Sequence, residues 1–166
     1  MFEMLITDGL SYDELKRILQ QKVMDIELDD FYELSYLVND DVKYLTKKYE
    51  DDYRKKVVEL MIKRCNLLKN DRKSYPGLVD KDEIDNINEI LNKEFEEKIL
   101  NKFNIIIVYA IYFLKEPIHP TDSIFAGLKS MSYDGEHYYC PIKKHHMNNE
   151  NAICKYCIAR EIDEND

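Results

Sequence analysis

A run of twelve residues, Phe103 to Leu114, most constrains the fold, because Asn104 is its only side chain that is neither apolar nor aromatic. As a helix, this run is apolar on every side, and such a helix belongs in the middle of a bundle, surrounded by its neighbours. Twelve residues are too few to cross a hydrocarbon core of about 30 Å, so we expect a buried helix and no membrane span. Pro117 follows and ends the helix, since proline cannot continue the backbone hydrogen bonding.

Helical signals also fill the chain before this run. Ser11 and Glu14 have the spacing of a capping box, in which each side chain accepts a hydrogen bond from the other residue's backbone N–H. After a short second helix, we expect a third that begins at Asn39 and a fourth that begins near Asp80. Apolar residues recur at spacings of three or four along the third and fourth helices: Val42, Leu45, Tyr49, Tyr53, Val57 and Leu60, then Ile84, Ile87, Leu91, Phe95 and Ile99. The sequence therefore predicts a mainly α protein built as a helical bundle.

The last part of the chain differs in kind, since it contains three of the four prolines. Asp134-Gly135 suits a tight turn with positive backbone φ, and the residues on either side predict one β-hairpin. The hairpin and the Cys-rich turn after it are too short to hold a core alone, so we expect them to pack on the helices. The predicted organisation is a single domain, 1–166, with a helical bundle at 1–116, a Cys/His-rich hairpin module at 117–160 and a frayed acidic tail at 161–166.

Charge and motif content exclude several classes of function. A net charge of −9 disfavours a nucleic-acid partner, since such binding relies on neutralising phosphates. The N-terminal stretch does not resemble a signal peptide, which predicts a cytoplasmic protein with its thiols in a reducing compartment. We expect Cys65, on a predicted helix, to be a buried free thiol. The chain has no Gly-rich phosphate loop, nucleophile elbow or H-E-x-x-H, and no histidine before His119 to build a di-iron bundle.

Three cysteines near the C-terminus are the main candidates for chemistry. Cys154 and Cys157 form a C-x2-C pair, whose spacing allows both thiolates to reach one ion across a tight turn. Cys140 follows a predicted strand, and His145 comes shortly after it. Zn²⁺ favours closed shells of sulfur and nitrogen where its role is structural. The sequence thus predicts a zinc-like site of the three cysteines and one histidine, with the fourth ligand open among His145, His119, His146, His137 and Cys65.

The same atoms allow three other interpretations. An iron–sulfur cluster with three cysteine ligands would leave one iron open to substrate or water. A C-x2-C can be a redox pair, although its usual setting is a helix N-terminus after a strand, and the region before this pair looks helical. The thiols can also be ordinary packing groups, since free cysteine behaves as a small apolar residue.

Two further features of this segment have alternative explanations. His119 comes just after the buried helix and is either a ligand or acid–base group, or a loop histidine that caps the last helical carbonyls. A locally basic stretch either meets phosphate or an acidic partner, or is a solvated face. It consists of Lys143, Lys144, His145, His146, Lys155 and Arg160.

Four short sequence elements follow one another near the C-terminus: His119-Pro120, Phe125-Ala126-Gly127, the stretch YYCPIK at 138–143 and the stretch NAICKYCIA at 151–159. Together they resemble a family of uncharacterised proteins, a domain of unknown function, known mainly from methanogenic archaea. The resemblance implies that the three cysteines belong to the family pattern, with the His-Pro and Phe-x-Gly elements, and it implies no activity. Leu128 departs from the Gly-Gly pair that the pattern predicts. His145 is not part of the pattern, which favours His119 as a ligand. Methanogenic archaea are strict anaerobes, and this setting of the family is consistent with an iron–sulfur cluster.

Two classes of function remain open. The first is a non-catalytic, metal-stabilised module that binds another protein, for example through the basic turn. The second is an enzyme or redox protein whose metal keeps an open position near His119 and Tyr138 or Tyr139. Four protein ligands close a metal site, whereas three and a water leave it open. No acid–base pair poised for catalysis is visible, so the first class is favoured.

Overall fold

The computed structural model describes residues 5–37, 45–95, 97–125, 128–149 and 152–162. It is mainly α, as predicted. The α-helices are α1 (Tyr12–Val23), α2 (Leu28–Leu37), α3 (Lys47–Asn70), α4 (Lys81–Leu91), α5 (Asn104–Tyr109) and α6 (Lys143–His146). Shorter helical segments are 3₁₀ at Lys98–Phe103 and Cys154–Tyr156 and π at Ala110–Leu114. The strands are β1 (Ile124–Phe125), β2 (Lys129–Ser130), β3 (Ser132–Tyr133), β4 (Tyr138–Cys140) and β5 (Arg160–Glu161).

The capping box predicted at the start of α1 is present. Ser11 Oγ accepts a hydrogen bond from the Glu14 N–H at 3.1 Å, and the Glu14 carboxylate accepts one from the Ser11 N–H at 2.8 Å. Leu15, Leu19 and Val23 then recur at helical spacing and are fully buried. Local signals therefore determine both where α1 begins and which of its faces is buried.

The third helix begins later than the sequence predicts. α3 starts at Lys47, and Thr46 has the extended backbone of an N-cap residue, with φ −67° and ψ 156°. Asn39 and Val42, the predicted start, lie outside the described residues. The buried face of α3 carries one charged residue, Arg64, among apolar and aromatic neighbours. That face consists of Tyr53, Val57, Met61, Arg64, Cys65 and Leu68.

The prediction of one helix from Ile84 to Ile99 is wrong. α4 ends at Leu91, and Ile99 lies in the 3₁₀ segment that follows. In the loop between them, the Phe95 N–H donates a hydrogen bond to the Asn101 side chain at 2.8 Å. This bond satisfies a backbone donor that a continuous helix would have paired with a carbonyl, so the helix can end without leaving that donor unpaired.

The long apolar run lies at the centre of the fold, as predicted. Residues 103–111 are all buried. α5 contacts α1, α3 and α4, which is why it has no polar face. After the π turn, Lys115 adopts a left-handed backbone with φ 55° and ends the helix just before Pro117, the predicted terminator.

The C-terminal strands form two small sheets. The predicted hairpin is present: β3 and β4 are antiparallel, with Tyr133 opposite Tyr138. Gly135 in its turn has φ 98°, and the Asp134 carboxylate accepts two backbone N–H bonds there. The expectation that this is the only hairpin is wrong, because β1 and β2 also pair antiparallel, with Phe125 opposite Lys129. The tertiary fold further adds β5, which runs parallel to β4.

Leu128, the departure from the family pattern, lies between β1 and β2 with φ 56°. A residue that carries a side chain is strained in this left-handed conformation by about 1–2 kcal/mol, whereas glycine is not. Leu128 is 66% exposed, so its side chain contributes little packing that would offset the strain. We expect Leu128→Gly to raise the free energy of unfolding, measured in urea, by about 0.5–1 kcal/mol. Leu128→Ala is the control, since alanine keeps the strain, and an equal gain in both variants would contradict this explanation.

The C-terminal segment packs on the helical core. Partly buried side chains of Ile153, Tyr156 and Ile158 contact that core. The Tyr156 hydroxyl donates to Glu89 of α4, and the Lys155 ammonium lies 3.7 Å from the same carboxylate. The division into a helical bundle at 1–116 and a module at 117–160 within one domain stays a prediction.

Of the predicted tail, residues 163–166 lie outside the described ranges. Within the described ranges, no helix is long and apolar enough to cross a membrane.

Candidate functional site

Cys140 ends strand β4 and lies in a small buried cluster with Met131 and Ala159. Its side chain is in the interior, with 5% of the residue exposed. Burial raises the pKa of its thiol above the usual range, and this outweighs the opposing effect of hydrogen bonds from the backbone N–H groups of Ile142 and Lys143. Backbone donors directed at a sulfur stabilise its thiolate form, but at Cys140 the effect of burial is larger, and the thiol form is favoured.

Cys157 lies between that cluster and the helical core, and its side chain packs against both. Its sulfur accepts a hydrogen bond from the Ile118 N–H at 3.4 Å. Cys157 is also one of the groups whose negative charge raises the pKa of Cys140, so the two thiols are neighbours. The structure therefore brings together two of the three predicted ligands, which are seventeen positions apart in the sequence.

Cys154 begins the 3₁₀ segment Cys154–Tyr156, and Cys157 follows directly as its C-cap residue. The Cys157 N–H donates to the Cys154 carbonyl at 3.2 Å, so both cysteines belong to one tight turn, as their spacing predicts. The Lys143 ammonium donates to the carbonyls of Cys157 at 2.9 Å and Ala159 at 2.6 Å. This lysine holds the chain that leads from the turn to β5 against α6.

His119 is partly buried in a cluster of rings. Its imidazole lies 6.3 Å from the ring of Tyr53 and 5.8 Å from the ring of Phe125, measured between centroids. It directly follows Ile118, whose N–H contacts the Cys157 sulfur. The family resemblance favours this histidine, and the residue before it is in contact with Cys157.

His145 and the basic stretch lie on the outer side of the module. His145 is exposed on α6, and its N–H donates to the Ile142 carbonyl at 3.2 Å. His146 ends α6, and His137 lies in the turn between β3 and β4. Lys143 and Lys155 make contacts within the protein, so the predicted basic stretch is not one continuous open face.

The described part of the chain contains no group of three or more His, Cys, Asp and Glu side chains that could hold a metal ion. The predicted shell is therefore not assembled as such. The donor chemistry nonetheless fits zinc or iron: Cys140, Cys154 and Cys157 are free thiols, and backbone N–H groups are directed at the sulfurs of Cys140 and Cys157, which are neighbours. Thiolate is the form of cysteine that binds metal, and these donors stabilise it.

Cys65 is a free thiol in the helical core, as predicted, with 2% of the residue exposed. Burial raises its pKa. It is not disulfide-bonded to any of the C-terminal cysteines, all of which are free. Its burial in the helical core is that of a packing group, as expected for a free thiol on this helix.

Arg64 is the residue beside the site that sequence reasoning missed. It is 2% exposed, and its guanidinium donates to the carbonyls of Pro117 at 2.5 Å and Ile118 at 2.8 Å and to the Glu116 carboxylate at 3.3 Å. Burial lowers its pKa, and the negative charges of Glu116 and Cys157 oppose that effect. The sequence did contain a signal for a buried Arg64: it lies at helical spacing from Met61 and Leu68, which places a cation on the buried face of α3.

Comparison with known proteins identifies relatives along almost the whole chain. A family model described as uncharacterized protein conserved in archaea (DUF2115) matches residues 11–162. A UPF0305 protein of Methanothermobacter thermautotrophicus is 27% identical over 153 residues, which cover 88% of this chain and 93% of the relative. A UPF0305 protein of Methanocaldococcus jannaschii is 28% identical over 162 residues, 91% of this chain and 96% of the relative. No solved structure matches. Because the family model spans the helices as well as the cysteines, the chain belongs to the DUF2115 family of archaeal proteins.

Proposed function

We propose that this protein is a non-catalytic, metal-stabilised module, in which Cys140, Cys154 and Cys157 hold a zinc ion and the adjoining sheet contacts another protein. The observation that carries this proposal is the meeting of Cys140 and Cys157 where the sheet joins the helical core. Both thiols are reduced and largely removed from water, and each has a backbone N–H donor. Packing alone would not require donors directed at two neighbouring sulfurs.

The strands beside the cysteines need a source of stability. β3, β4 and β5 contain two or three residues each, and sheets this short are marginal without additional support. A bound zinc ion supplies folding free energy directly, because the ligands are not preassembled in the unfolded chain. His119 or His145 would complete the shell, and the family resemblance favours His119.

A structural role suits these residues better than a catalytic one. Cys140 is almost fully buried, whereas a catalytic metal needs a position open to substrate. His119 packs against the rings of Tyr53 and Phe125, which restricts the motion that an acid–base group requires. An iron–sulfur cluster on the same cysteines is the alternative, and its iron content distinguishes it from zinc.

The hairpin offers a surface for a protein partner. Tyr133 on β3 is 56% exposed, and its ring stacks on that of Tyr138 with 4.5 Å between centroids. Exposed tyrosines are enriched where proteins bind one another, because they supply rigid contact area and a polar hydroxyl. Since Lys143 and Lys155 are engaged within the protein, this aromatic pair replaces the basic turn as the proposed contact.

The test is metal content together with hydrogen exchange. We expect protein purified without oxygen to carry about one equivalent of zinc, and Cys140→Ser and Cys157→Ser each to weaken zinc binding by at least about tenfold. Amides of 118–160 should lose protection in these variants, while α1, α3 and α5 stay protected because the helices supply most of their own, larger core.

Cys65→Ala is the matched control, since it removes a buried thiol from the helical core and should keep the zinc. His119→Asn and His145→Asn separate the two candidates for the fourth ligand. Stoichiometric iron in place of zinc would favour the iron–sulfur alternative. Metal-free wild-type protein whose segment 118–160 is fully protected would show that the cysteines only pack, and the proposal would fail.

A further inference from the structure

A second part of the molecule, away from the cysteines, has the form of a ligand site. A cavity of about 1040 Å³ lies along the C-terminal half of α3, large enough for a small organic molecule. Ile62, Leu67 and Leu114 form its apolar walls. Ile62 is 37% and Leu67 41% exposed, so these walls face solvent.

The buried end of the cavity is a polar network centred on Asp71. Its carboxylate accepts hydrogen bonds from the hydroxyls of Tyr75 and Tyr109, each at 2.8 Å, and from the Lys73 N–H at 2.9 Å. The Lys16 ammonium is 4.0 Å away. Asp71 is therefore fully occupied within the protein. Each of the two hydroxyls donates its hydrogen bond to Asp71. Such a hydroxyl can bind a ligand only as an acceptor, through its oxygen lone pairs.

The rim of the cavity is positively charged. Lys63, Arg72 and Lys73 line it, and none of the three ammonium or guanidinium groups forms a salt bridge with a carboxylate in the described part of the chain. Of the two acidic residues that line the cavity, Asp71 is engaged by the tyrosines and Glu59 lies 3.9 Å from Lys55. The charges that line the cavity therefore favour an anion, although the protein as a whole carries a net charge of −9.

We propose that this cavity binds a small organic anion, whose apolar body lies against Ile62, Leu67 and Leu114 and whose carboxylate or phosphate meets Arg72 and Lys73. A donor group on the ligand would pair with the free lone pairs of Tyr75, which is more exposed than Tyr109. The rim selects against organic cations by charge, and the walls select against small inorganic anions, which have no apolar surface to bury. This site is independent of the metal proposed at the cysteines.

The probe for the test is 8-anilinonaphthalene-1-sulfonate, an aromatic anion whose fluorescence rises in apolar surroundings. We expect the folded full chain to bind it at one site, and the uncharged analogue N-phenyl-1-naphthylamine to bind at least about fivefold more weakly. The variant R72Q/K73Q should raise the dissociation constant for the anion about 5- to 10-fold, because it removes two rim charges. Added salt should weaken binding to the wild type and have less effect on the variant.

The matched control is K47Q/K48Q, which removes two exposed lysines from the opposite end of the same helix and should leave the dissociation constant unchanged. Leu67→Asp places a negative charge on a half-exposed wall and should weaken binding as much as the rim variant does. Circular dichroism checks that each variant is folded. No binding by the wild type, equal binding of the uncharged analogue, or an equal loss in R72Q/K73Q and K47Q/K48Q would overturn the proposal.

Discussion

Arg64→Ala is expected to lower the free energy of unfolding by about 4 kcal/mol. The guanidinium is the hydrogen-bond donor to the carbonyls of Pro117 and Ile118, and both residues are buried. Without it, two carbonyls lose their donor in the interior, which costs about 1–3 kcal/mol for each, and the aliphatic stem leaves a cavity. Glu116 contributes less, since its side chain is 41% exposed and regains water. Urea denaturation of the purified variant measures the effect.

Arg64→Lys is expected to recover only part of the loss. One ammonium cannot reproduce the forked geometry with which the guanidinium reaches two successive carbonyls. Lys63→Ala is the control, because it shortens an exposed cation at the adjacent position of α3 and should change stability by less than about 0.5 kcal/mol. A loss below about 1 kcal/mol in Arg64→Ala would mean that water replaces the arginine at these carbonyls.

The same substitution should loosen the cysteine module. Arg64 holds the segment from Glu116 to Ile118, and the Ile118 N–H contacts the Cys157 sulfur. A change on α3 is therefore transmitted to the C-terminal turn through one stretch of backbone. Hydrogen exchange of residues 152–162 should become faster in Arg64→Ala at a urea concentration where the helices remain protected.

Asp71→Ala is expected to cost about 3 kcal/mol. It removes the acceptor of two tyrosine hydroxyls, and Tyr109 is 2% exposed, so its hydroxyl has no access to bulk water as a substitute. Hydrogen bonds to a charged acceptor contribute about 1.5–3 kcal/mol each, and part of this returns as the cluster relaxes. Asp85→Ala, an exposed carboxylate on α4, is the control and should be close to neutral.

A double-mutant cycle separates the hydrogen bond from the rest of the effect. Tyr109→Phe alone should destabilise the protein by about 1–2 kcal/mol, but should cost much less in the Asp71→Ala background, where the acceptor is already gone. Additive losses in the cycle would show that the hydroxyl and the carboxylate do not act as a pair.

The effect of Asp71 should depend on pH in one direction. Burial by itself raises the pKa of this carboxyl, but hydrogen bonds from Tyr109, Tyr75 and the Lys73 N–H, with the charge of Lys16, outweigh burial and lower the pKa. A carboxyl whose folded pKa is depressed contributes stability that is fully present above its unfolded pKa, near 4, and is lost as pH falls through the folded pKa. The difference between wild type and Asp71→Ala should therefore be constant above about pH 5 and shrink below about pH 4.

Features encoded within a few residues were predictable from the sequence. The capping box of Ser11 and Glu14 needs only its own four positions, and the turn at Gly135 needs only a residue that tolerates positive φ. The central position of 103–111 follows from its lack of a polar face. The tight turn of Cys154 and Cys157 follows from their spacing.

Other local features were not predictable, because competing local contacts determined them. The stripe from Ile84 to Ile99 has helical spacing, yet the Asn101 side chain takes the Phe95 N–H and the helix ends at Leu91. Periodicity reports which residues are buried, and a buried residue in a 3₁₀ segment satisfies the same pattern as one in a continuous helix.

The candidate sites were decided by tertiary structure. The sequence predicted one module for Cys140 and Cys157, but only the parallel pairing of β5 with β4 and the packing on the helical core make the two residues neighbours. Arg64 donates hydrogen bonds to carbonyls more than fifty positions away along the chain, and Asp71 accepts one from the hydroxyl of Tyr109 on α5. Such partners are chosen by which buried groups lack water, a property of the assembled interior that no local spacing in the sequence contains.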